Sequence, residues 1–138
     1  MYICTPCDYI YNKVDHNNTT FKNQPTDWKC PVCGVGKELF LKINQETAED
    51  NNPETQKKHI PLILKSEEGK VIIKIGEIEH PMTEAHYITK IQIFKNNKIL
   101  KTQELSSTDS NEVITDLNFE DGLMALAYCN VHGVWKSN

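Results

Sequence analysis

Two cysteine pairs, Cys4-Thr5-Pro6-Cys7 and Cys30-Pro31-Val32-Cys33, stand 22 residues apart at the start of this 138-residue chain. A CxxC turn brings two sulfurs onto one ion while the following backbone amides donate to them. Two such knuckles close a tetrahedral four-sulfur site. The chain opens on Met1-Tyr2-Ile3-Cys4, without the basic flank and apolar stretch of a secretory signal. A cytoplasmic, reducing location is therefore expected, and the pairs read as metal ligands before disulfides. Spacing alone admits a structural zinc as well as iron.

The acidic balance, 15 Lys+Arg against 19 Asp+Glu, gives no basic stripe for nucleic acid. Apolar runs such as Ile60-Pro61-Leu62-Ile63-Leu64 are too short to span a bilayer. Neither nucleic acid nor membrane is an expected partner.

Residues 44–56 contain one apolar side chain, Ala48, and are punctuated by Pro53. The expectation is a polar linker between a unit at 1–43 and a unit at 57–138. A unit the size of the first usually needs a metal, disulfides or a partner to fold. The second carries short runs rich in Val, Ile and Tyr at 60–65, 71–76, 85–94, 99–105, 112–117 and 123–129. Turn signals separate them, among them Glu68-Gly69, Asn96-Asn97 and Asp121-Gly122. With no clear helical period, this predicts a mainly β chain ending in a β-sandwich or barrel.

Further metal-binding side chains lie in that second unit: His59 in KKHIP, His80 and His86 in EHPMTEAHY, and Cys129 and His132 in CNVHG. Taken singly, each reads as an ordinary strand-end or core residue. Cys129-x-x-His132 is a chelating spacing but a weak signal.

The first unit resembles rubredoxin, through YICTPCDYIY and FKNQPTDWKCPVCGVGKELF and the aromatic positions Tyr2, Tyr9, Tyr11, Phe21, Trp28 and Phe40. The resemblance implies one iron held by Cys4, Cys7, Cys30 and Cys33, acting as a one-electron carrier. Two features depart from the family pattern: a shorter loop between the knuckles, and Asp8 where a glycine is usual. That position calls for φ > 0, which Asp tolerates better than most residues. His16 matches no ligand position and is expected to be solvated.

Residues 57–138 resemble the superoxide reductase (neelaredoxin-like) domain, through KKHIP, GEIEHPMTEAHYI and LAYCNVHGVWKS. A rubredoxin-like module in front of it is the desulfoferrodoxin arrangement. The resemblance implies an immunoglobulin-like β-barrel and a second iron bound by His59, His80, His86 and His132 with Cys129 axial, its sixth position open. It also implies the one-electron reduction of superoxide to hydrogen peroxide, with two protons taken up. Lys58 matches the family lysine that attracts the anion and assists protonation. Lys57 stands where many members have a glutamate that caps the ferric iron. A resting site capped by solvent, or by a carboxylate from elsewhere, is the expectation. A homodimer and an external donor such as a rubredoxin or its reductase follow from the same resemblance. A second reading of the residues is a rubredoxin-like carrier or zinc-stapled module fused to a partner-binding β-sandwich, its histidines incidental.

Overall fold

The computed structural model describes residues 1–45 and 53–138, which divide into two compact units, Met1–Ile43 and Asn44–Asn138. Most of the expected linker lies outside the described residues. In the first unit, β1 (Tyr2–Cys4) pairs antiparallel with β2 (Phe40–Asn44), Ile3 opposite Leu41. Short 3-10 turns at Lys13–His16, Phe21–Asn23 and Lys37–Leu39 connect them.

The two knuckles repeat one hydrogen-bond pattern. Cys4 N–H donates to the Tyr9 carbonyl and Asp8 N–H to the Cys4 carbonyl, each at 2.8 Å. Cys30 N–H likewise donates to Val35 at 2.8 Å, and Gly34 N–H to Cys30 at 2.9 Å. The residue after each second cysteine is left-handed, Asp8 at φ 63 and Gly34 at φ 79. The sequence departure at Asp8 is thus accommodated without changing the turn. Tyr11, Phe21 and Phe40 pack with Cys4 and Cys30 in one core, which Tyr2, Tyr9 and Trp28 flank.

His16 departs from the expectation of a solvated side chain. Its ring stacks on Tyr11 with centroids 4.6 Å apart, and its Nε2 lies 3.0 Å from the Tyr9 hydroxyl. The left-handed Asn17 ends the 3-10 turn there, its backbone N–H donating to the Lys13 carbonyl.

The second unit opens with a helix that the sequence reading missed. Residues 53–56, expected as linker, are the first turns of α1 (Pro53–His59). Proline at the first helical position, Glu54 in the first turn and Lys57, Lys58 and His59 in the last agree with the helix dipole. Strands β3 (Pro61–Lys65), β4 (Lys70–Ile75) and β7 (Glu112–Asn118) form one antiparallel sheet with β4 in the middle. In the other, β5 (Ile88–Lys95) lies between β6 (Lys98–Glu104) and β8 (Leu123–Cys129), and β8 also pairs with β9 (Gly133–Lys136).

Strict alternation along β4 sends Val71, Ile73 and Ile75 inward. They meet Ile88, Ile91 and Ile93 of β5, Val113 of β7, and Ala125, Ala127 and Cys129 of β8. The result is a two-sheet sandwich with one apolar core. Asn96 and Asn97, at φ 51 and 62, make the tight turn between β5 and β6, where left-handed pairs match strand twist. Among the described residues, no helix is long and apolar enough to cross a membrane.

Candidate metal centres

All five cysteines are free thiols. In the first unit, Cys4 Sγ lies 3.6 Å from Cys33 Sγ and Cys7 Sγ 3.7 Å from Cys30 Sγ. The four sulfurs fall within 4.8 Å of one another. A tetrahedron with metal–sulfur bonds of about 2.3 Å needs sulfur edges of about 3.8 Å, so this spacing fits one ion. Burial pushes the Cys4 and Cys7 thiols up. At Cys30 burial acts the same way, but the Cys33 and Val32 amides directed at its sulfur outweigh it and the thiol falls. Bringing four such sulfurs together makes sense if a cation compensates them.

The second cluster draws on four segments of the sandwich. α1 ends on His59, the β4–β5 connection supplies His80 and His86, β8 ends on Cys129, and the following turn carries His132. His59 Nδ1–H donates to the Thr55 carbonyl at 2.7 Å, and His80 Nδ1–H to the Pro81 carbonyl at 2.6 Å. Burial lowers both rings to about 4, so both are neutral near pH 7. Their protons are thereby committed to the Nδ1 positions, and two bare Nε2 lone pairs face each other at 3.0 Å. Two acceptors at that distance repel. A shared cation turns the contact into ligation, the strongest local sign that a metal belongs here.

The other donors complete the ring. His86 Nε2 is 3.1 Å from Cys129 Sγ and 3.2 Å from His132 Nδ1. His59, His80, His86 and Cys129 form the tight group within 4.8 Å. Exposed His132 stands at its rim, its Nδ1 3.8 Å from Cys129 Sγ and its backbone N–H donating to that sulfur at 3.3 Å. The structure therefore brings together all five side chains picked out from the sequence.

A cavity of about 300 Å³ opens beside this cluster, lined by Glu54, Thr55, Lys58, His59, Pro81, His86 and His132. Lys58 Nζ pairs with Glu54 at 3.0 Å, one helical turn away. Lys57 is exposed and is not part of the cavity lining. The carboxylate at the mouth is thus Glu54. Sequence reading missed it because its i,i+4 relation to Lys58 becomes visible only once 53–59 is recognised as helix. Trp135 was also missed. Its ring stacks on His59 at 5.1 Å, and its Nε1–H donates to the His132 carbonyl at 3.0 Å.

A four-sulfur knuckle unit joined to a β-sandwich holding a histidine–thiol cluster defines a small non-haem metalloprotein whose two sites fit two iron centres. The family model described as Desulfoferrodoxin matches residues 51–138 and that described as Rubredoxin matches residues 1–40. This chain belongs to the desulfoferrodoxin family. A desulfoferrodoxin of Syntrophotalea carbinolica is 33% identical over 125 residues, covering 80% of this chain and 93% of that protein. A superoxide reductase from Treponema pallidum is 31% identical with TM-score 0.51, covering 61% of this chain and 67% of that one. Another, from Giardia intestinalis, is 31% identical with TM-score 0.50, covering 59% and 95% respectively.

Proposed function

We propose that this chain is a superoxide reductase, transferring one electron to superoxide, with two protons taken up, to give hydrogen peroxide. The residues that would hold the reacting iron are His59, His80, His86, His132 and Cys129. The observation that carries the reading is the convergence of those donors beside a cavity that Lys58 lines. Iron there would supply the transferable electron and a coordination position for a small anion.

This chain's residues do the rest. Four imidazole ligands are neutral and only the Cys129 sulfur would bind as an anion, so ferrous iron held by this set would keep net positive charge and favour an anion. Lys58 adds a cation at the cavity mouth, where it raises the encounter rate with superoxide and offers a proton close to the product. Glu54 holds that ammonium by an ion pair. The backbone carbonyls of Thr55 and Pro81 orient two of the ligand rings.

Cys4, Cys7, Cys30 and Cys33 would hold a second iron in a closed sulfur cage, suited to receiving and passing single electrons. Cys33 is exposed and Val32 beside it is 66% exposed, which supports this edge as the entry point for an external donor such as a rubredoxin or its reductase. The same reading takes the working form as a cytoplasmic homodimer. The outer face of the β3-β4-β7 sheet supports self-association, aligning Leu64, Ile72 and Ile114 in one cross-strand row with Ile114 75% exposed.

The test is anaerobic mixing of the reduced, two-iron protein with a superoxide pulse. One peroxide should form for each histidine-bound iron oxidised, with no dioxygen released. Dioxygen evolution without an added reductant would make the protein a dismutase instead. One iron per chain, or two zincs, would leave only the carrier or stapled-module reading.

A further inference from the structure

At the end of β4, Gly76 adopts φ +86, and a Cβ built there would lie 2.5 Å from the carbonyl oxygens of both Lys58 and Ile78 and 2.8 Å from that of Lys57. These are backbone atoms, so no side-chain rotation relieves the overlap. Two residues later, Ile78 N–H donates to the Lys57 carbonyl at 3.1 Å. That bond caps one of the carbonyls that the last turn of a helix leaves unpaired. The neighbouring carbonyls of that turn are engaged too: Thr55 accepts from His59 Nδ1 and Gln56 from Ile60 N–H at 2.9 Å.

We propose that Gly76 is a positioning residue for the histidine–thiol site: lacking a side chain, it lets the loop leading to His80 seat directly on the last turn of α1, which carries Lys58 and His59. The proposal rests on reading the five side chains as one metal site. His59 and His80 are 21 residues apart in sequence, yet their Nε2 atoms meet at 3.0 Å. The Gly76–Ile78 seat fixes the register between the segments that carry them. A methyl group at residue 76 forces α1 and this loop apart. Because the site tolerates only small errors in ligand placement, that separation falls first on His59 and on the lysine beside it.

The test uses the full chain purified with iron. Gly76→Ala is compared with Gly122→Ala, a glycine at φ +83 whose built Cβ meets nothing within 4 Å. The control carries the backbone strain of a left-handed alanine without the collision. Gly76→Asn keeps the collision but eases the strain, since asparagine tolerates left-handed φ, and it serves if the alanine variant does not fold. Iron affinity at the second site, the long-wavelength thiolate-to-iron band and amide exchange of Ile60 and Ile78 are measured. The Gly76 variants should lose at least about tenfold in affinity at this site, the scale of an outer-shell ligand mutation. Their Ile60 and Ile78 amides should exchange faster even without metal, with the four-sulfur spectrum intact and Gly122→Ala unaffected. Gly76 variants that keep the second iron, its band and both protected amides would overturn the proposal. A wild-type chain with one iron would instead overturn the metal-site reading beneath it.

Discussion

His59 and His80 are held neutral by burial, and each donates its one ring N–H to a backbone carbonyl. In the unfolded chain both rings gain a proton near pH 6.5, whereas in the folded, metal-free chain they resist protonation down to about 4. The unfolded state therefore binds more protons between those values, and stability falls as pH falls through that window. Urea unfolding of the second unit in metal-free protein should show its full stability above about pH 7 and a loss of roughly 1 kcal/mol per pH unit per histidine between about pH 6.5 and 4. His59→Gln should flatten part of that slope. Two further substitutions separate the roles at the cavity. Cys129→Ser should abolish the thiolate-to-iron band while leaving the four-sulfur spectrum; an unchanged band would remove Cys129 from the site. Lys58→Ala should slow superoxide association at low salt more than at high salt in pulse radiolysis, since steering is screened by ions.

At the scale of elements, β4 and α1 divide the work between core and site. β4 is fully alternating, and Ile73 at its centre is wholly buried. Ile73→Ala should cost about 2–5 kcal/mol, read as a lower thermal midpoint for the second unit with the first unit's visible spectrum unchanged. The strand at 71–76 was legible as a β-branched run whose burial alternates, and that at 123–129 as a short, nearly continuous apolar run after the Asp121-Gly122 turn signal. The helix was not. Its seven residues present no apolar stripe, and what it buries is Gln56 and His59, so periodicity had nothing to register. Strand β9 escaped for a related reason: its four residues, GVWK, are too few to show a period. The candidate ligands could be read from residue type and from the family resemblance. Glu54, Trp135 and the seat at Gly76 could not, because each acts through a contact that exists only after folding.

For the molecule as a whole, the two units depend on metal to different degrees. The second has a continuous apolar core independent of its metal ligands except Cys129. In the first, Cys4 and Cys30 are themselves members of the small core and Cys7 packs against it, so a metal held by these sulfurs would tie the two knuckles together at that core. Chelation of the four-sulfur metal should abolish amide dispersion in NMR spectra for residues 1–43 while 57–138 keep theirs. Simultaneous loss of both would show that the units do not stand on separate cores.

The carbonyls of Thr55 and Pro81 fix the two inner imidazoles without help from any ion. Orienting the rings does not by itself exclude other divalent cations, and zinc or copper outranks ferrous iron in intrinsic affinity for such nitrogen and sulfur donors. Correct loading then falls to supply: a cell starved of iron and rich in zinc would accumulate well-folded but redox-silent copies. The ratio of the two metals in protein isolated from such cells would record the nutritional history of the organism.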